Sequence, residues 1–128
     1  LEHIPNLGET VQELKNRLRI GGTLVLALPN SNSLDANHFK QYWAAYDIPR
    51  HLSHFTPTTI NRLMSQAGFR LVSTRPMYFD SFYIGMLSTR HRDGQTNWSE
   101  SIYQGIRSNW SARKTGNYSS LIYLFQKE

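Results

Sequence analysis

The 128-residue sequence contains no cysteine, which removes disulfide frameworks, thiolate metal centres and thiol nucleophiles together. A reducing cytoplasm is the compartment we expect for such a chain. No apolar run approaches the ~18 residues that a membrane span needs. The opening residues lack the charged-then-apolar order of a signal peptide. Acidic residues are the scarcer sign, 9 Asp and Glu against 14 Lys and Arg, so the formal charge is +5. Glycine is sparse as well. Its positions, 8, 21, 22, 68, 85, 94, 105 and 116, cannot be drawn into the G-x-G-x-x-G turn that follows a strand and cradles a dinucleotide. The apolar share of 39% and aromatic share of 12% are those of one folded domain rather than a disordered tail. The sequence starts at Leu1 rather than Met, and we read it as a piece of a longer protein.

What is present alternates between two periods. In "ETVQELKNRLRIGG", from Glu9, the apolar residues Val11, Leu14 and Leu18 recur at three and four, the spacing of an amphipathic helix. Glu9 lies near its start and Lys15, Arg17 and Arg19 near its end, as the helix dipole favours. Gly21-Gly22 then ends the helix, because glycine takes the left-handed cap conformation without a steric penalty. "TLVLALPN", from Thr23, is an unbroken apolar run closed by Pro29-Asn30, the pattern of a strand covered on both faces. "LDANHFKQYWAAY", from Leu34, fits a short helix. Thr56-Pro57-Thr58-Thr59 opens another, with Thr56 as cap and Pro57 in the first turn. Ile60, Leu63, Met64 and Ala67 line one face of it until Gly68. "FRLVSTRPMYF" and "NYSSLIYLFQKE" read as strands, and "DSFYIGMLSTRH" and "SESIYQGIRSNW" as helices. There is no internal repeat and no linker, so residues 1–128 form a single domain of α/β class.

The positive charge gathers late, at Arg90, Arg92, Arg107, Arg113 and Lys114, near Trp98 and Trp110. A basic α/β module that docks on nucleic acid or an acidic partner would use such residues for phosphates and stacking. Their scatter along the chain, without a helical stripe, favours a solvated surface instead and argues against nucleic acid as the partner. The cluster Tyr78, Phe79, Phe82, Tyr83, Met86 and Leu87 fits either the mouth of a site for a hydrophobic ligand or, preferably, core packing or a self-association face.

"DIPRHLSHF", residues 47–55, concentrates titratable chemistry beside large apolar side chains. His51 and His54 would share a face of a helix, as in some zinc sites, but Pro49 argues against a helix and no third ligand lies at metal-site spacing. We therefore expect no metal. No serine or cysteine is placed as a nucleophile. One reading of the residues is a loop whose Asp47, Arg50 and histidines hydrogen-bond it to its own scaffold, with Leu52 and Phe55 as anchors.

Four stretches taken in order carry a resemblance: "LEHIPNL" at 1–7, "LRIGGTLVLALPN" at 18–30, "YWAAYDIPRHLSHFTPTTINRLMSQAGF" at 42–69, and the final "LIYLFQKE". Together they resemble the C-terminal half of a class I S-adenosylmethionine-dependent methyltransferase of the small-molecule type, related to ubiquinone-biosynthesis enzymes. Residues 79–115 carry no part of it. The resemblance implies a truncated Rossmann-like fold with a three-stranded mixed sheet and flanking helices. The strand order would be first, third, second, with the last strand antiparallel to the other two. It implies that Leu1, Glu2 and His3 line the methionine side of the cofactor pocket. The loop would cover a small-molecule methyl acceptor, with Arg50 and Asp47 binding it and His51 or His54 accepting its proton. Tyr42, Trp43 and Phe55, with Leu52, would exclude water. The glycine-rich cofactor-binding half of the family is missing, so S-adenosylmethionine belongs to the parent protein. We expect this piece to bind none and to be inactive. We also expect strand 23–28 to be a bare edge through which the chain self-associates.

Overall fold

A computed structural model describes all 128 residues. Five helices and three strands follow in the order α1 (Leu7–Arg17), β1 (Thr23–Pro29), α2 (Leu34–Phe39), α3 (Pro57–Gln66), β2 (Phe69–Pro76), α4 (Asp80–Asp93), α5 (Trp98–Thr115) and β3 (Ser120–Lys127). The sheet order is β1-β3-β2. β3 is antiparallel to both neighbours, with Leu26 opposite Tyr123 on one side and Thr74 opposite Tyr123 on the other. β1 and β2 therefore run parallel without touching, as the resemblance implied.

Local chemistry starts α3 where the sequence pattern placed it, but α1 ends at Arg17, where Leu18 turns extended, before Gly21-Gly22 is reached. Thr56 and Thr59 exchange side-chain and backbone hydrogen bonds in a capping box at the start of α3, with Pro57 behind them. Gly21 stands at φ 75° after α1. The carbonyls at the end of α1 accept from the Lys127 ammonium, Lys15 O at 2.8 Å and Leu18 O at 2.7 Å. That contact ties the first helix to the last strand, satisfies Leu18 O, and adds a second donor to Lys15 O, which also accepts from the Leu18 N–H.

Val11 of α1 and Ile60 and Met64 of α3 pack with Leu28, Phe69, Leu121, Tyr123 and Phe125 into one core. Both helices thus lie on the same face of the sheet. The opposite face is not covered, which corrects the expectation for β1. Its residues alternate between half-buried Leu24 and Leu26 and exposed Thr23, Val25 and Ala27. The run is apolar throughout, but only every second side chain has a helix above it.

A second, smaller cluster forms from Ala36, Phe39, Trp43, Ala44, Ala45 and Ile84. Residues 34–46 are not one helix. α2 stops at Phe39, Lys40 stands at φ 51°, and two single 3-10 turns follow at Lys40–Tyr42 and Ala44–Tyr46. The break lets Trp43 turn inward, 1% exposed, with its Nε1 donating to Asp35 Oδ2 at 3.0 Å. Asp35 is itself fully buried and also accepts from Ser108 Oγ at 2.8 Å and Ser119 Oγ at 2.6 Å. One carboxylate so joins α2, the Trp43 turn, α5 and the approach to β3. No helix is long and apolar enough to cross a membrane.

Candidate functional site

β1 ends at Pro29, and the loop 47–55 is fastened against that end. Asn30 and Phe55 form a parallel bridge, and Ser31 donates from both its N–H and its hydroxyl to Phe55 O, at 2.9 and 3.0 Å. The same loop is held on its other side by the first residues of the chain. Leu52 and Ser53 donate their N–H groups to Glu2 O at 2.7 and 3.2 Å. These bonds place Glu2 and His3 beside His51, although 47 residues separate His3 from Arg50, whose carbonyl accepts from His3 Nδ1 at 3.1 Å.

Within the loop, Asp47 takes the left-handed conformation (φ 42°) and the Ile48–Pro49 bond is cis. Asp47 Oδ1 accepts from Arg50 Nε at 3.0 Å, while Oδ2 lies 3.7 Å from His51 Nε2. His51 Nδ1 is 2.8 Å from Ala45 O. A carbonyl only accepts, so the proton sits on Nδ1 and Nε2 carries the lone pair. His54 Nε2 is paired likewise with Tyr46 O at 3.0 Å, leaving its Nδ1 free. Burial would raise the Glu2 carboxyl. Its own backbone N–H and the terminal ammonium 2.9 Å away outweigh that and hold it below its ordinary value.

A cleft of about 480 Å³ opens between this loop and α4, at the carboxyl end of β1, where open α/β sheets place their ligands. Asp47, Arg50 and His51 stand on one wall and Asp80, Tyr83 and Leu87 on the other. A narrow hollow beside it touches Glu2, Ser53, His54 and again His51. His51 is thus common to both spaces.

The sequence-predicted residues separate accordingly. Asp47, Arg50 and His51 reach the cleft, and Glu2, His51 and His54 share the hollow. Trp43 and Phe55 are core residues that show one edge to the hollow, while Tyr42 and Leu52 are exposed. Of the aromatic cluster, Tyr83 and Leu87 line the cleft, and Phe79 points to solvent. Asp80 and His91 line the cleft but carry no sequence signal for it. Only the packing of α4 against the Ala44–Tyr46 turn brings them there.

A model of the methyltransferase-domain family matches residues 1–74, the part that contains β1, the loop and α3. The chain belongs to this family. No curated protein matches it. Among solved structures, this methyltransferase-domain chain is similar to a proposed sarcosine dimethylglycine methyltransferase from Galdieria sulphuraria. That likeness has 11% identity and a TM-score of 0.53, over 98% of this chain and 49% of the other. It is also similar to Haemonchus contortus phosphoethanolamine N-methyltransferase 2, solved with S-adenosyl-L-methionine. There the identity is 15% and the TM-score 0.51, over 98% of this chain and 31% of the other. The chain therefore spans from a third to a half of these structures, and at such identity the likeness is one of fold.

The residues present hold no glycine turn of the kind that cradles a nucleotide cofactor. A cofactor turn needs a strand, then glycine, then a helix whose N-terminus faces the ligand. Here β1 ends at Pro29 and is followed by the buried Asn30. The four glycines at positive φ, Gly21, Gly68, Gly94 and Gly116, all lie after helix C-termini.

Proposed function

We propose that the protein to which this chain belongs transfers a methyl group from S-adenosylmethionine to a small-molecule acceptor in the cytoplasm. In this reading the chain supplies the acceptor side and is inactive by itself. The observation that carries it is the cleft at the carboxyl end of β1, with Arg50 and His51 on its wall, in a chain of the methyltransferase-domain family. Arg50 is three-quarters exposed and anchored by Asp47, so its remaining N–H groups are free to hold an anionic acceptor. In this reading His51 Nε2, on the cleft wall, or His54 Nδ1, beside the neighbouring hollow, takes a proton as the acceptor atom is methylated. The carboxylates of Glu2 and Asp47 near His51 would stabilise the imidazolium that results. Catalysis of this kind is chiefly positioning, which suits a loop fastened at both ends.

Titration calorimetry tests the division of labour. The 128-residue chain gives no heat with S-adenosylmethionine, and the protein with its upstream coding region restored binds it. A micromolar dissociation constant for the chain alone would overturn the reading.

A further inference from the structure

Glu2, His3 and His51 offer one ligand atom each, all within 4.8 Å of one another. His3 Nε2 is 3.8 Å and His51 Nε2 3.9 Å from Glu2 Oε1. These separations are too long for hydrogen bonds, which end near ~3.2 Å. They lie within about half an ångström of the edge of a tetrahedron built on ~2.0–2.1 Å metal–ligand bonds. Both imidazoles direct Nδ1–H at a backbone carbonyl, Arg50 O for His3 and Ala45 O for His51. Each Nε2 is left as a lone pair without a donor. Backbone carbonyls that fix the tautomer and ring angle in this way are the outer shell of metal-bound histidines. Two carboxylates border the spot, Glu2, whose Oε2 takes the terminal ammonium, and Asp47, whose Oδ1 takes Arg50, which leaves Glu2 Oε1 and Asp47 Oδ2, 3.7 Å from His51 Nε2, facing the imidazoles.

We propose that Glu2 Oε1, His3 Nε2 and His51 Nε2 bind a divalent cation of the zinc type. Two nitrogens and one carboxylate suit a borderline first-row ion and not magnesium, which prefers oxygen throughout. The signal was invisible in the spacing of residues 47–55, because two of the three ligands come from the start of the chain. Three protein ligands leave a fourth position open. Since His51 also lines the acceptor cleft, a cation there stands in its wall, ready to hold an oxygen or nitrogen of the acceptor. That role rests on the acceptor-side reading above and leaves His54 as the proton acceptor. Cation binding itself does not rest on it.

The test reads metal occupancy, not methyl transfer. Chelator-treated 128-residue chain is titrated with Zn2+, and with Co2+ for its visible spectrum. One equivalent binds, and cobalt shows the intense bands of a four-coordinate site. His3→Ala, His51→Ala and Glu2→Gln each weaken binding at least tenfold, whereas His38→Gln leaves it unchanged. A free amino terminus with histidine third chelates Cu2+ and Ni2+ by itself, so those ions are avoided. N-terminally acetylated chain keeps its zinc. Circular dichroism checks each fold, and the exposed His3 provides a variant that folds if His51→Ala does not. Absence of zinc binding, binding indifferent to Glu2 and the histidines, or binding lost on acetylation overturns the site. Zinc binding without methyl transfer by the whole protein would instead overturn the acceptor-side reading.

Discussion

At the scale of single residues, contacts that no local pattern announces set the constraints. Asp35 has nothing in its neighbourhood to mark it, yet it takes three hydrogen bonds from residues 8, 73 and 84 positions away. Glycine shows the same dependence on distant partners. Gly105 lies inside α5, where alanine would ordinarily be better by about 1 kcal/mol. A methyl group there would stand 2.7 Å from Phe82 Cε1 and closer still to the ring atom beside it. The clash decides the sign. Gly105→Ala lowers stability by about 1–3 kcal/mol, the usual cost of overpacking, measured by urea denaturation. In a chain that already carries Phe82→Ala the same glycine replacement costs much less, because no ring atom is left beside the methyl. An unchanged urea midpoint in the single variant would mean that the ring swings outward without cost.

At the scale of elements, the helical hairpin α4–α5 is packed the opposite way to its hydrophobicity. Apart from Ile84, which joins the Trp43 cluster, the buried residues are mostly small and polar, Ser81, Gly85, Ser88 and Thr89 on α4 and Ser101, Gly105, Ser108 and Ala112 on α5, while Tyr83, Ile102, Tyr103, Ile106 and Trp110 are exposed. Close approach of backbones takes the place of large side chains, with Ser101 Cα only 3.4 Å from where a Gly85 methyl would lie. An ion cluster closes the turn end. Arg92 donates to Glu100 Oε2 at 2.6 Å and to Asp93, and His38 of α2 lies 3.2 Å from Glu100 Oε1. The Arg92 hydrogen bond chiefly, helped by His38 and opposed by burial, pulls the Glu100 carboxyl from 4.5 down to about 2. A carboxyl with a depressed folded-state pKa stabilises fully above its unfolded value and loses that contribution as pH falls through the folded one. The thermal midpoint of the wild type therefore drops between pH 4.5 and 2, and that of Glu100→Gln drops less over the same window. Parallel acid limbs would remove the cluster from the stability of the hairpin. The sequence suggested both helices but not the face each buries, since that face is chosen by fit between glycines and serines. α1, α3 and all three strands were legible because caps, glycine stops and apolar spacing agree there. The site was half legible for a related reason. Asp47, Arg50 and His51 lie together in sequence, whereas Asp80 and His91 join them only through packing.

At the scale of the molecule, the sheet has β3 in its middle and two open edges, and they differ in kind. The β2 edge carries Arg70, Arg75 and Pro76, and its register slips between Leu71 and Ser73. Charge, proline and a bulge are the means by which edges resist pairing with another chain. The β1 edge has none of these between Thr23 and Leu28. Its N–H and C=O groups on the side away from β3 have no strand to bond. Beside it the uncovered sheet face presents Val25, 58% exposed. Pairing two β1 strands antiparallel about a two-fold axis would satisfy those groups in both copies and continue the sheet, and identical edges meeting in this way close on themselves. We therefore expect a dimer through residues 23–28, and sedimentation at micromolar concentration shows it. Val25→Lys places a charge on the solvent face of the pairing strand and turns the protein into a monomer without loss of helix content. If the wild type sediments as a monomer, or Val25→Lys remains a dimer, the β1 edge is not the contact.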